Sequence, residues 1–268
     1  MVSLKKNYNK EKWVKHIYRN NEKFIENSLK VVKKMQKVVG IIGGMGPLAT
    51  VDLMNKIIFY TPAMKDQEHI HIIADNYSQI PDRTTAILGK GIDPTPYMIQ
   101  SAQRLQNAGA DFLVIACNTA HFFFESVEKS VGIPILHMPL ETANFLQENN
   151  FRKVGLLATD GTINTKLYQH SCNSYGIEVI EPDKEMQKKV MKGIYAIKGG
   201  NLETGLLCLS TVANDLTKRG AEVIIAGCTE VPLVLKSSQD ICIIDPTEIL
   251  AKVVIKTANG TNKEMQLV

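Results

Sequence analysis

From Val38 onward the chain alternates between two rhythms. Short runs of Val, Ile, Leu and Phe, apolar at nearly every position, occupy 38–42, 70–74, 112–116, 134–136, 154–158, 177–180, 223–226 and 241–243. Between most of them, apolar residues recur every three or four positions, as at 48–60, 95–107, 183–198 and 202–217. A run that is apolar on both faces reads as a strand covered on both faces, whereas a three-to-four spacing marks one side of a helix. The alternation predicts an α/β protein with doubly wound parallel sheets, since each parallel strand is reached by a crossover long enough for a helix.

Upstream of Val38 the pattern is different. Residues 10–36 contain no Gly or Pro, and Trp13, Ile17, Phe24, Ile25, Leu29, Val32 and Met35 recur at mostly helical intervals. This predicts a basic helical extension over 1–37, where 11 Lys and Arg face 3 Asp and Glu. The net charge of +4 therefore comes from the extension, and the remaining body is mildly acidic. An exposed charge run gives salt-sensitive, non-specific attraction, so no nucleic-acid partner is expected. The longest apolar runs, such as 112–117, fall far short of a bilayer span, and no signal-like apolar segment follows the first basic residues. Membrane insertion and secretion are not expected. Five cysteines without a Cys-x-x-Cys pair argue for reduced thiols in a cytoplasm and against a structural metal site.

The alternation also repeats itself. Val39-Gly40-Ile41-Ile42-Gly43 is echoed by Val154-Gly155-Leu156-Leu157-Ala158, and the run 110–119 by the run 221–230, each ending on a cysteine followed by polar residues. From the first glycine to the cysteine the separation is 77 residues in one copy and 73 in the other. Two similar α/β domains are predicted, one over 38–136 completed by about 246–260, the other over 137–245.

Several segments carry candidate chemistry. Gly43-Gly44-Met45-Gly46-Pro47 joins a strand to a helix and formally satisfies a dinucleotide fingerprint, with Asp66 and Glu68 about 20 residues on. Pro47 and the loop position of those acids favour a more general reading, in which backbone N–H groups approach an anionic ligand. Cys117 and Cys228 each follow an apolar strand at the start of a helix, where ligands of open α/β sheets bind and where a thiolate is favoured. Cys172, Cys208 and Cys242 lie inside helix or strand patterns and read as small apolar residues. His121, four residues after Cys117, is either a nucleophile partner or, preferably, a residue that orients its neighbours. Arg83 reads as an exposed loop guanidinium able to clamp a carboxylate, and Lys198 as complementing a helix C-terminus.

Taken together, Gly43-Gly44-Met45-Gly46-Pro47, Ile80-Pro81-Asp82-Arg83, Ala116-Cys117-Asn118-Thr119-Ala120-His121 and Gly227-Cys228-Thr229-Glu230 resemble the aspartate/glutamate racemase superfamily, most closely its aspartate racemase branch. The resemblance spans about 38–257 and leaves the basic extension outside. It implies two domains related by pseudo-twofold symmetry, a homodimer, no cofactor and no metal, and one catalytic cysteine from each domain, here Cys117 and Cys228. It implies a substrate-binding set of Met45, Gly46, Arg83, Asn118, Thr119, Lys198, Thr229 and Glu230, with Lys189 and Lys192 as alternatives to Lys198. Cell-wall glutamate racemases carry an Asp-Ser pair and a His where this chain has Met45-Gly46 and Glu230. The implied activity is interconversion of L- and D-aspartate by two thiols acting on opposite faces of Cα. The alternatives are a glutamate or broad acidic amino-acid racemase, a non-catalytic dicarboxylate-binding module of the same fold, and, third, a nicotinamide-dependent enzyme.

Overall fold

The computed structural model describes residues 36–260, so the predicted basic extension lies outside the described residues apart from Gln36 and Lys37. Among the described residues, eight strands form two four-stranded parallel sheets. The first sheet holds β1 (Val39–Ile42), β2 (Ile72–Asp75), β3 (Phe112–Ile115) and β4 (Ile135–Leu136) in the order β2-β1-β3-β4. The second holds β5 (Lys153–Ala158), β6 (Glu178–Ile180), β7 (Val223–Gly227) and β8 (Ile243–Ile244) in the equivalent order β6-β5-β7-β8. Each of the eight predicted apolar runs overlaps a strand, with ends displaced by at most two residues, and the last shares only Ile243 with β8.

The connections are helical: α1 (Pro47–Tyr60), α2 (Arg83–Ile87), α3 (Thr95–Asn107), α4 (Phe124–Glu128), α5 (Met138–Glu148), α6 (Asp160–Asn164), α7 (Leu167–Asn173), α8 (Lys184–Lys198), α9 (Leu202–Lys218), α10 (Val231–Val234) and α11 (Pro246–Ala258). The sequence starts the long helices with acceptors for otherwise unpaired amides. Asp183 accepts from the N–H groups of Glu185 and Met186, and Asn201 accepts from Thr204. Each such cap contributes about 1 kcal/mol.

Alternating strand residues feed opposite layers. Val39, Ile41, Phe112 and Val114 pack with Leu53 and Ile57 of α1, while Ile42, Leu113 and Ile115 pack with Met98, Ala102 and Leu105 of α3. In the second sheet, Leu156, Val223 and Ile225 join Ala143 and Leu146 of α5, and Leu157, Ile224 and Ala226 join residues of α8 and α9. Burying each large apolar side chain contributes about 1.5–3 kcal/mol. Helix α11 follows the second sheet in sequence but lays Leu250, Ala251, Val254 and Ile255 on the first.

The repeated Val-Gly pair has a packing cause. A Cβ on Gly40 would meet Cδ2 of Leu113 at 2.5 Å and Cβ of Leu105 at 3.2 Å. On Gly155 it would meet Cδ1 of Ile224 at 2.6 Å and Cβ of Leu216 at 3.0 Å. In both sheets the first strand is glycine where the neighbouring strand and a covering helix converge on it.

Candidate active site

Cys117 stands two residues beyond β3, and Cys228 directly follows β7, the equivalent strand of the other sheet. Both are buried, at 6% and 5% exposure, and both line one narrow cleft. Such clefts form at the carboxyl ends of parallel strands because the loops that leave them diverge. The cleft is also lined by Met45, Arg83, Asn118, Thr119, Lys198, Thr229 and Glu230. Gly46 completes the predicted set beside Glu230, whose Oε1 would lie 3.6 Å from a Cβ added there. Lys189 and Lys192 do not line the cleft.

The glycine loop differs from expectation. The N–H of Gly43 donates to the Asp75 carbonyl at 3.0 Å, and the N–H of Gly44 donates to Oγ1 of Thr50 at 2.9 Å. These amides hold the protein together and are not offered to a ligand. Gly44 is required for a different reason: its φ is +86° and a Cβ would lie 2.2 Å from the Tyr77 carbonyl carbon. The acids the dinucleotide reading needs, Asp66 and Glu68, lie in a short turn ahead of β2 and not at its carboxyl end.

Arg83 is not an exposed loop residue. It opens α2, is 8% exposed, and donates through Nη1 to the carbonyls of Ile80 at 3.1 Å and Pro81 at 2.8 Å. Nη2 donates to the Met45 carbonyl at 3.2 Å, while the buried Nε has no partner. The guanidinium thus ties two loops together at the wall of the cleft. Asp82 beside it caps α2, accepting from the N–H of Thr85.

Around Cys228 the electrostatics reverse the expected effect of a helix terminus. The following helix α10 has only four residues, too few for a strong dipole. Instead the Cys228 thiol donates to Oε2 of Glu230 at 2.9 Å, as does the Thr229 hydroxyl at 3.3 Å. Burial, then the Glu230 carboxylate, push Cys228 well above the ordinary thiol range, and Lys198 opposes this without cancelling it. Lys198 sits at the exposed rim on the last turn of α8. Lost hydration works against its charge, but Glu230 and the two cysteines outweigh that and raise its pKa.

His121 is buried, and it does orient its neighbours. Its Nε2 accepts from the N–H of Met138 at 3.1 Å, so Nδ1 carries the proton and donates to the Cys117 carbonyl at 2.8 Å. Burial, then neighbouring His137, push its pKa down to about 3. It is a neutral brace behind the Cys117 loop, not a base for the sulfur.

Three groups went unnoticed in the sequence. Thr84 and Thr159 line the cleft, and Tyr168 of α7 donates its hydroxyl to Oδ1 of Asn118. Oγ1 of Thr119 lies 2.9 Å from that of Thr159 and 3.0 Å from that of Thr162, which stitches the two halves together beside the cleft. A signal for Thr159 existed: it follows Ala158, the counterpart of Gly43, and so occupies the place of the first glycine loop.

Matched α/β halves that each bring a thiol to a shared cleft are the architecture of a two-domain racemase. The Asp/Glu/Hydantoin racemase family model matches residues 42–254, and the chain belongs to that family. The broad specificity amino-acid racemase RacX of Bacillus subtilis is 32% identical over 228 residues, covering 82% of this chain and 97% of RacX. The aspartate racemase structure from Picrophilus torridus superposes with a TM-score of 0.77 at 33% identity, covering 83% of this chain and 94% of that one. A glutamate racemase from Francisella tularensis, at 21% identity and a TM-score of 0.61 over 87% and 86% of the two chains, shares the fold. No helix among the described residues is long and apolar enough to cross a membrane.

Proposed function

We propose that the protein is an aspartate racemase that exchanges the Cα proton between two thiols without a bound cofactor. The observation that carries this reading is the arrival of Cys117 and Cys228 in one cleft from equivalent strand ends of separate sheets. In the resting form Cys228 is the thiol, held by Glu230, and Cys117 acts as the thiolate. The Cys117 sulfur takes the Cα proton, leaving the electron pair on the substrate as a carbanion. The Cys228 S–H bond then breaks and its proton joins Cα on the opposite face. Inversion leaves a Cys117 thiol and a Cys228 thiolate, the form that accepts the other enantiomer. Thiols suit the work because their ordinary pKa, about 8.5, lies near operating pH.

The charge that develops on the α-carboxylate needs donors already in place. The Asn118 amide nitrogen is buried without a partner and belongs to a residue lining the cleft, which supports this role. A donor of this kind is worth about 3 kcal/mol in the transition state. Arg83 Nε and Lys198 supply positive charge for the second carboxylate, and Glu230 is the counter-charge for the substrate ammonium.

A broad-specificity racemase is the second reading, and one observation favours it. Three of the five N–H groups of Arg83 already serve backbone carbonyls, which leaves only Nε and one Nη2 hydrogen for selecting an acidic side chain. A panel of enantiomerically pure amino acids followed by chiral chromatography separates the two. The aspartate reading predicts the highest kcat/KM for aspartate, with glutamate about 10- to 200-fold lower for one added methylene. A flat profile across neutral and acidic side chains replaces it with the broad reading. Binding of acidic amino acids with no inversion makes the protein a binding module.

A further inference from the structure

We infer that Tyr168 is a positioning residue for the reaction, fixing the side-chain amide of Asn118 so that its N–H₂ group faces the cleft; this rests on the racemase reading. Tyr168 is fully buried, its ring packed among Ala143, Leu146, Cys172 and Ile249 in the core of the second half. From there its hydroxyl crosses to the first half and donates to Oδ1 of Asn118, the residue next to Cys117. Burial pushes the phenol well above its ordinary pKa, so the hydroxyl stays a donor throughout the working range of pH.

An amide has two ends, and an unheld one can turn over. With Oδ1 accepting from the phenol, Nδ2 is left as the free end, and it is a buried donor without a protein partner. Leaving such a donor unpaired is costly unless a ligand completes it. A carboxylate oxygen that gains charge in the transition state is the acceptor that fits. Because the anchor comes from one half and the amide from the other, the donor is aligned only when the two halves sit together as described. Tyr168 thereby links closure of the cleft to the environment of Cys117 without touching the substrate.

Tyr168→Phe keeps the packed ring and removes the hydroxyl, and with it both the anchor on Asn118 and a contact to the Thr142 side chain. The expected result is a kcat lowered about 10- to 100-fold with KM changed less than about 3-fold, since the donor acts chiefly on charge that develops after binding. Melting temperature should move by only a few degrees. In an Asn118→Ala background, Tyr168→Phe should change kcat by less than about 2-fold, because there is no amide left to orient. An equal loss in both backgrounds, or wild-type kcat in the single variant, overturns the inference. Crystal structures of wild type and Tyr168→Phe give a readout independent of turnover: the Asn118 amide should leave its wild-type plane in the variant. An unchanged amide plane overturns the positioning role even if racemisation is confirmed. A displaced amide in a protein that inverts no amino acid supports the role of Tyr168 and overturns the racemase reading alone.

Discussion

The loops that follow β3 and β7 present the same atom, a cysteine sulfur, from equivalent places in two sheets of matching strand order, yet they surround it differently. Cys117 is followed by Asn118, Thr119 and a neutral His121 that braces its carbonyl. Cys228 is followed by Thr229 and Glu230, and its proton is shared with that carboxylate. What the halves share sets where the sulfurs stand. In the proposed cycle their difference sets which sulfur holds the proton at rest, so a site built alike in both halves begins chemically asymmetric.

Removing the sulfurs tests this most severely. Cys117→Ala and Cys228→Ala should each lower racemisation by at least about 10³-fold, because one face of Cα loses its proton carrier. The comparison predicts that they fail differently. Cys228→Ala keeps the base and should still exchange the Cα hydrogen of one enantiomer with D₂O, without inversion. Cys117→Ala retains only the held thiol and should exchange far more slowly. Equal exchange in the two variants would break the assignment of resting roles.

Glu230→Gln alters the asymmetry without touching either sulfur. The amide keeps an acceptor oxygen but removes the negative charge that helps hold Cys228 protonated, so its pKa should fall. The alkaline limb of the pH–rate profile, which reports loss of that proton, should move to lower pH. Maximal kcat should drop about 10-fold. An unmoved alkaline limb would remove Glu230 from control of the thiol.

The brace on the other side has its own pH signature. His121 stays neutral in the fold down to about pH 3, whereas the unfolded chain takes up the proton near pH 6.5. Stability from this group is therefore complete above about pH 6.5 and is lost at about 1.4 kcal/mol per pH unit as pH falls toward 3. Denaturant unfolding of His121→Asn should show a flatter acid limb, with His137 still contributing down to its value of about 4. An acid limb as steep as wild type would contradict the buried neutral state. Where the halves are alike, matched substitutions should behave alike. Gly40→Ala and Gly155→Ala should each cost about 1–3 kcal/mol through overpacking, and differ from each other by less than about 1 kcal/mol in thermal unfolding.

Much of this architecture could be read along the chain because periodicity reports burial directly. The eight apolar runs became strands, and the Val-Gly echo marked two places where a helix crosses a strand closely. The sulfurs were legible because both end a recognisable run. Less visible was everything set by contacts between the halves. Tyr168 looks like one more helical apolar position until its hydroxyl is found on Asn118, 50 residues away. Thr119, Thr159 and Thr162 meet only once the sheets are apposed. From the sequence Arg83 reads as an exposed guanidinium free to clamp a carboxylate, whereas three carbonyls from two loops converge on it. The thiol pKa was anticipated from a helix terminus, but a four-residue helix gives little field beside a carboxylate 2.9 Å away.

The central claim is that Cys117 and Cys228 act from opposite faces of one Cα. The most direct test is the isotope content of both enantiomers during the first few per cent of turnover of L-aspartate in D₂O. Two thiols predict deuterium at Cα in nearly all of the D-aspartate formed, from the solvent-equilibrated Cys228, while recovered L-aspartate stays protiated. D-aspartate that keeps the original hydrogen would mean that one base carried the proton across, and would contradict the account.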